Sequence, residues 1–490
     1  MSNGETLQHR VLEVDGVQVH HFPSAAPVCS AALLFGVGQR DESLATLGTL
    51  HMLEHLVMHE VRHTPISING SVGPSLTDFT AEGSPGLVRT FLEGVCRGLA
   101  APPLSRLAAE AAVLSAEGPD ESGTPLGPAR YGLRDLGLVG APGPGPAGVR
   151  AETVRAVAER WFVTGNALLM VDGPWPEGLS LPLPVGPAPT HAYVVPRRWE
   201  RPHAITVDGP GCGFSVILPP AEGTGLELLT AAVIEHRLTE VVRHERGLTY
   251  SLDRELLAVA DGRWELTVLA EPLPDRAVEA VLAMIDTTTG LLRDGATEAE
   301  VEHARETVLE SARGRDSEIA SAMDVAIGAL LGSDVAAFDA AAVGAVSADR
   351  LNDQLRGLAA DVLYLIDARA ADEVARRGIP TTEIPPGSSA SLPAGEVFRP
   401  PLPARVADKD ARTARVALTE TGLAQRLGDQ TWTLDWTEVA GVLRDDDGDL
   451  TVLASSGVAI AVGPKLYRRG KKLIQAVRRN VGPDLIWDER

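Results

Sequence analysis

The segment "GTLHMLEHLVMHE", residues 48–60, sets three histidines and two glutamates among leucines and methionines. An α-helix turns once in about 3.6 residues, so His51 and His55 stand one above the other, roughly 40° apart. Glu54 falls roughly 60° to the other side of His51, and all three share one face. Met52, Leu53 and Leu56 are left for packing, and Gly48 loosens the start of the helix. Two readings are open here: a histidine pair satisfied on a helix surface, or a metal site.

Two imidazoles one turn apart can bite a single Zn²⁺, and a carboxylate beside them can take a proton from the water that the ion activates. The order His-x-x-Glu-His inverts the commoner zinc-protease motif. With 12 histidines in 490 residues, about 0.02 such matches are expected by chance in a chain of this composition. Rarity favours the metal.

A chain of 490 residues is too long for one core and suggests about three domains. Its 44% hydrophobic and 22% charged content is ordinary for a globular protein, while 49 Gly and 35 Pro promise many loops. The formal charge of −22 disfavours nucleic acid or an anionic membrane as the main partner and suits cationic ligands. No apolar run approaches the ~20 residues of a membrane span, and the polar opening lacks a signal-peptide core. A cytoplasmic location without stable membrane association is the expectation. Cys29, Cys96 and Cys212 are scattered, form no metal cluster and fit a reducing compartment, each as a small buried hydrophobe.

Alternation predicts strands in "RVLEVDG", "VQVHHFP" and "SAALLFGVG" before the His-Glu-His helix, and a short strand in "SLTDFTAEG" after it. Two helices, a Gly/Pro loop, a third helix and the apolar strand "NALLMVDG" complete residues 1–178. After a proline-rich linker, 179–200, the plan restarts in 201–375 with "GFSVILPP", a helix over 224–244, strands "LTYSLDREL" and "RWELTVLAEP", more helices, and the closing strand "DVLYLIDA". The closing strands, at Asn166 and Asp361, stand 195 residues apart, which reads as a repeat of one α+β plan. A second Pro/Gly/Ser linker, 376–410, leads to a small β-sheet and a basic C-terminal helix in 411–490. Because that linker has almost no core-forming sequence, deleting 411–490 is expected to leave the first two domains folded.

Zinc held by two histidines needs a third protein ligand. In "EAAVLSAE", Glu110 and Glu117 lie two helical turns apart on one face, a pattern that a solvated helix stripe also produces. Over roughly residues 10–370 the chain resembles the pitrilysin/insulinase family of zinc peptidases. "GVGQRDE…LGTLHMLEHL" resembles the family's Gly-x-Arg-x-Glu and His-x-x-Glu-His block, and "EAAVLSAE" its glutamate pair. "WFVTGNALLMVDG" resembles the strand that closes the N-terminal half. "RHERGLTY" carries Arg243 and Tyr250 at the spacing of the family's substrate-contacting pair. Three departures stand out: the segment between His55 and the glutamate pair is shorter than usual, "HEVRHTPISINGSVGPS" replaces the helix before the substrate-binding strand, and "LTDFTAEG" replaces the Gly-Gly-x-x-Asn-Ala signature of that strand.

The resemblance implies two α/β-sandwich halves and a zinc ion on His51, His55 and Glu117. Glu54 becomes the general base, Glu110 a support for the site, and Arg243 and Tyr250 substrate contacts. It implies a metalloendopeptidase that takes peptides as an added strand near residues 75–80, and that pairs as a homodimer or with a related chain. His59 and His63 read as loop residues. Without the resemblance, Arg243 reads as a surface salt bridge and Tyr250 as a strand core residue. The rival functions are a non-catalytic partner subunit or peptide-binding scaffold, and a metallohydrolase of small molecules. The last domain faintly resembles bacterial pleckstrin-homology-like modules, through "LDWTEVAGV" and "GVAIAVGPKLYRRGKKLI". Its basic side chains (Lys465, Arg468, Arg469, Lys471, Lys472, Arg478 and Arg479) suit a solvated face, or contacts with phosphates or an acidic partner in a docking or assembly role.

Overall fold

The computed structural model describes residues 7–118, 123–141, 143–220, 223–333, 335–381, 387–407 and 409–488. Part of the 376–410 linker, at 382–386 and 408, therefore lies outside the described residues.

The first sheet contains β1 (Arg10–Val14), β2 (Val17–Phe22), β3 (Cys29–Phe35), β4 (Ser67–Val72), β5 (Thr77–Gly83) and β6 (Ala167–Asp172), in the order β1-β2-β6-β3-β5-β4. The second contains β7 (His203–Val207), β8 (Cys212–Leu218), β9 (Thr249–Ala258), β10 (Trp264–Pro272) and β11 (Leu363–Asp367), in the order β7-β11-β8-β10-β9. Apart from β1, the two orders are the same walk through the chain. In each, the closing strand (β6 or β11) inserts parallel to the first strand and antiparallel to the second. The repeat read from the sequence is thus a repeat of topology.

Alternation explains the central strands. In β3, Cys29, Ala31, Leu33 and Phe35 are buried, with half-buried residues between them. Helix α1 (Thr49–Val61) buries Leu50, Met52, Leu53, Leu56 and Val57. Helix α2 (Pro85–Ala100), opened by Ser84 and Pro85, buries Val88, Phe91, Leu92, Val95, Cys96 and Leu99 at helical spacing. All three cysteines are free and buried, and burial pushes the Cys96 and Cys212 thiols up to about 12. The reading of each as a small hydrophobe holds.

Contacts divide the chain into two compact units, one of residues 1–38, 53–103 and 155–382, the other of 39–52, 104–154 and 383–490. Both large sheets lie in the first. There the halves meet where Ile319 and Met323, on the helix Arg315–Leu330, pack with Phe22 and Leu168. Arg315 also bonds the carboxylate of Asp172 at the end of β6 and the carbonyl of Phe22.

The second unit holds two further four-stranded sheets. One is Glu396–Phe398, Arg415–Leu418, Gly422–Leu427 and Gln430–Asp435. The other is Ala459–Val462, Leu450–Ala454, Val439–Arg444 and Ile486–Asp488. The helix Gly470–Asn480 buries Leu473, Ala476 and Val477. The chain is therefore α+β, with two homologous halves and a smaller β-rich part ending in a helix. That last part does not stand apart within its unit: Leu453 packs with Leu44 and Leu138, flanked by Leu443 and Trp487. Deleting 411–490 would uncover Leu44 and Leu138. Among the described residues, no helix is long and apolar enough to cross a membrane.

Candidate metal centre

Helix α1 begins because three of its first amides have a carboxylate to meet. Glu42 accepts from the N–H groups of Gly48 and Leu50, each at 3.0 Å, which satisfies donors that a helix start leaves open. Gly48 takes φ +89° there, a conformation that suits glycine. Desolvation pushes the Glu42 carboxyl up to about 8, although the amides of Leu50, Gly48 and Thr49 pull the other way. The loop ahead of the helix is pinned by Arg40, whose Nε donates to Oδ1 of Asp135 at 2.6 Å, both side chains almost wholly buried.

His51 and His55 lie on α1. Glu117 ends helix α3 (Leu107–Glu117). One ligand atom from each of His51, His55 and Glu117 lies within 4.8 Å of the others, with His51 Nε2 and Glu117 Oε2 4.0 Å apart. Tetrahedral zinc with bonds of about 2.0–2.2 Å spaces its ligands about 3.4 Å apart. The imidazole and the carboxylate are each 48% exposed, so small side-chain rotations close the difference. The donor set, two imidazoles and one carboxylate with an open side, suits zinc.

Glu54 is only 7% exposed and places Oε2 3.8 Å from His55 Nε2, beside a candidate ligand atom. Its other oxygen faces β4: a Cβ built on Gly70 would lie 2.4 Å from Glu54 Oε1. Glu110 is buried, and its Oε1 accepts from Arg106 Nε and Nη2 at 3.2 and 3.1 Å. All five side chains come from the first half of the sequence.

Arg243 and Tyr250 stand on the second half. Arg243 lies in a π-helical turn, Thr239–Glu245, that ends the helix expected over 224–244; the regular helix is Leu226–Leu238. Gly247 N donates to Arg243 O, and Leu248 N to Val242 O, closing a tight turn into β9. Tyr250, in β9, is 77% exposed, so it is not a packed strand residue. His59 sits in the last turn of α1 rather than in a loop, and His63 in the turn beyond it; neither belongs to the ligand cluster.

The sequence reading missed β4, Gly70 and the helix-capping role of Glu42. It also put the open strand edge at 75–80. β5 is paired on both sides, by β3 and β4, and the outer strand is β4. In the basic C-terminal segment, Lys472 on the helix and Arg469 at its N-cap both pair with Glu396, while Lys465, ahead of the helix, pairs with Asp447. The basic character is partly neutralised within the chain.

No family model and no curated protein matches the sequence. Solved structures do match the fold. The inactive domain of a peptidase M16 from Pseudomonas fluorescens superimposes with a TM-score of 0.58 at 14% identity, covering 73% of this chain and 97% of its own. A putative M16-like peptidase from Alicyclobacillus acidocaldarius gives 0.56 at 15% identity, over 75% of this chain and all of its own. Pitrilysin gives 0.52 at 15% identity, over 75% of this chain and 46% of its own. The chain has the fold of the M16, pitrilysin-type peptidases.

Proposed function

We propose that the protein is a zinc-dependent endopeptidase that cleaves peptides or unfolded segments. The observation that carries this reading is the convergence of His51, His55 and Glu117, with the buried Glu54 carboxylate beside them. Zinc bound there supplies Lewis acidity toward the scissile carbonyl and makes water a nucleophile near neutral pH. Glu54 accepts the water's proton and passes it to the leaving amine. Glu110, tied to Arg106, holds charge balance next to Glu117. Tyr250 donates to the oxyanion or the substrate backbone, and Arg243 binds a substrate carbonyl or carboxylate. Substrate adds as a strand to the outer edge of β4, where main-chain hydrogen bonds provide affinity. A homodimer, or a pair with a related chain, would enclose the site. Three free, buried cysteines, none paired in a disulfide, are compatible with a cytoplasmic setting.

The second reading is a non-catalytic partner subunit or peptide-binding scaffold. An M16 domain described as inactive shares this fold, so fold alone does not separate the two. Metal analysis of the purified chain combined with a peptide-library digest does. About one zinc per chain and cleavage that disappears in Glu54→Gln support the peptidase; bound peptide without cleavage supports the scaffold.

A further inference from the structure

The C-terminal part of the chain lies against the loop that starts the metal helix. Three observations inside one compact unit make the connection. Leu453, on the strand Leu450–Ala454, is 7% exposed and packs with Leu44 (1%) and Leu138 (0%), with Leu443 and Trp487 of the neighbouring strands around them. The backbone of Leu133 donates to Ser455 O at 2.9 Å, and a Cβ on Gly132 would lie 2.4 Å from that same oxygen, so the 132–138 segment and the hairpin after Leu453 touch main chain to main chain. Arg40 is locked to Asp135 at 2.6 Å, which fastens the other end of the same loop. Two residues from Leu44, Glu42 holds the first amides of α1, and His51 follows one residue after Leu50.

We infer that the C-terminal sheets are a brace for the metal centre: by holding Leu44 between Leu453 and Leu138, they fix Glu42 against the start of α1 and thereby place His51 opposite Glu117. Leu44, Leu453 and Glu42 are positioning residues that act through the helix start. Leu44 is two residues from Glu42, so its anchoring limits how far the Glu42 backbone can move from the amides that its carboxyl group caps. Outer-shell partners of a metal ligand typically alter affinity about 10–100-fold when lost. The inference goes beyond the peptidase reading, and only its metal arm rests on that reading.

The test uses the full chain with Leu453→Ala, Leu44→Ala and the conservative Leu453→Ile. Hydrogen exchange on metal-free protein is followed at residues 48–52 and, as a reference, in β3 and β5; zinc affinity is measured by chelator competition, and ligand geometry by the absorption of the cobalt-loaded protein. The expected result is an exchange rate at 48–52 at least about tenfold higher in both alanine variants, with β3 and β5 unchanged. Zinc affinity falls about 10–100-fold and the cobalt spectrum shifts, and Leu453→Ile restores all three. Exchange and affinity within about twofold of the starting protein in both alanine variants would overturn the brace, as would a rise spread equally over β3 and β5. If the starting protein takes no zinc, the peptidase reading falls, and the exchange arm alone decides the brace.

Discussion

Gly70 on β4 and Glu54 on α1 approach so closely that a single added Cβ would lie 2.4 Å from Oε1 of Glu54 and 2.9 Å from Cγ of Met58. The strand edge that would receive a peptide and the carboxylate that would move its proton are therefore packed against each other. Gly70 does not have a positive φ, so its small size, not backbone freedom, is what the position needs.

Gly70→Ala should displace the Glu54 carboxylate while leaving His51, His55 and Glu117 in place. The expected outcome is a loss in kcat on the order of 10-fold or more, because a general base moved out of hydrogen-bond reach loses most of its contribution. Zinc content, measured by atomic absorption, should be unchanged. Normal turnover in this variant would mean that Glu54 is not the base.

Removing one ligand should cost the metal. His51→Ala, His55→Ala and Glu117→Ala each leave two donors, too few for a stable zinc site, so stoichiometry should drop from about one zinc per chain toward zero. Glu110→Gln should instead weaken zinc binding without abolishing it, since Glu110 bonds Arg106 and is not in the ligand cluster. Equal loss in Glu110→Gln and Glu117→Ala would show that the two glutamates share the ligand role.

The apolar framework was legible because its periodicities are strong. "CSAALLF" alternates, "LYLID" is wholly buried, and both kinds of strand stand out from sequence alone. "SINGSV" was not legible: it is half-exposed, and its Ser, Asn and Gly residues disfavour strand, so only pairing with β5 makes it one. The strands at Glu396–Phe398 and Gly422–Leu427 hid for a similar reason, among prolines and polar residues. At the site, spacing on one helix gave His51, Glu54 and His55. Glu117 needed the resemblance, because two glutamates on a helix carry no signal of what lies opposite. Glu42 was visible only as a letter in a motif; its target amides are defined by the turn over 43–48.

Acid should weaken the second half through one pair. Arg237 meets the Glu300 carboxylate with both Nε and Nη2, and Thr297 donates its N–H and hydroxyl to it. Burial alone would raise this carboxyl, but the Arg237 and Thr297 bonds outweigh it and bring it down to about 2. With a folded pKa below the unfolded value of 4.5, the contribution is complete above about pH 4.5 and is lost as pH falls toward 2. Glu300→Gln should lower stability at pH 7 and flatten the decline between pH 5 and about 2 in urea unfolding. A variant as acid-sensitive as the starting protein would assign the decline to other carboxylates.

Tyr250→Phe tests whether the second half takes part in chemistry. Tyr250 is 77% exposed at the start of β9, on a turn that the bonds from Gly247 and Leu248 to Arg243 and Val242 hold rigid. An aromatic residue displayed so openly contributes little to the core, so its loss should leave stability within about ±0.5 kcal/mol. If its hydroxyl meets the oxyanion or the bound backbone, losing that one donor should lower kcat/KM by about 10²-fold with zinc content unchanged. Arg243→Ala should act differently, raising KM more than it lowers kcat, and most for peptides with a carboxylate near the cleavage point. Unchanged kinetics in both variants would confine the active site to the first half. A loss of zinc in either would give these side chains a structural role. The kinetic split is the expected result, because the two side chains sit seven residues apart across a rigid turn and both point to solvent rather than into the core.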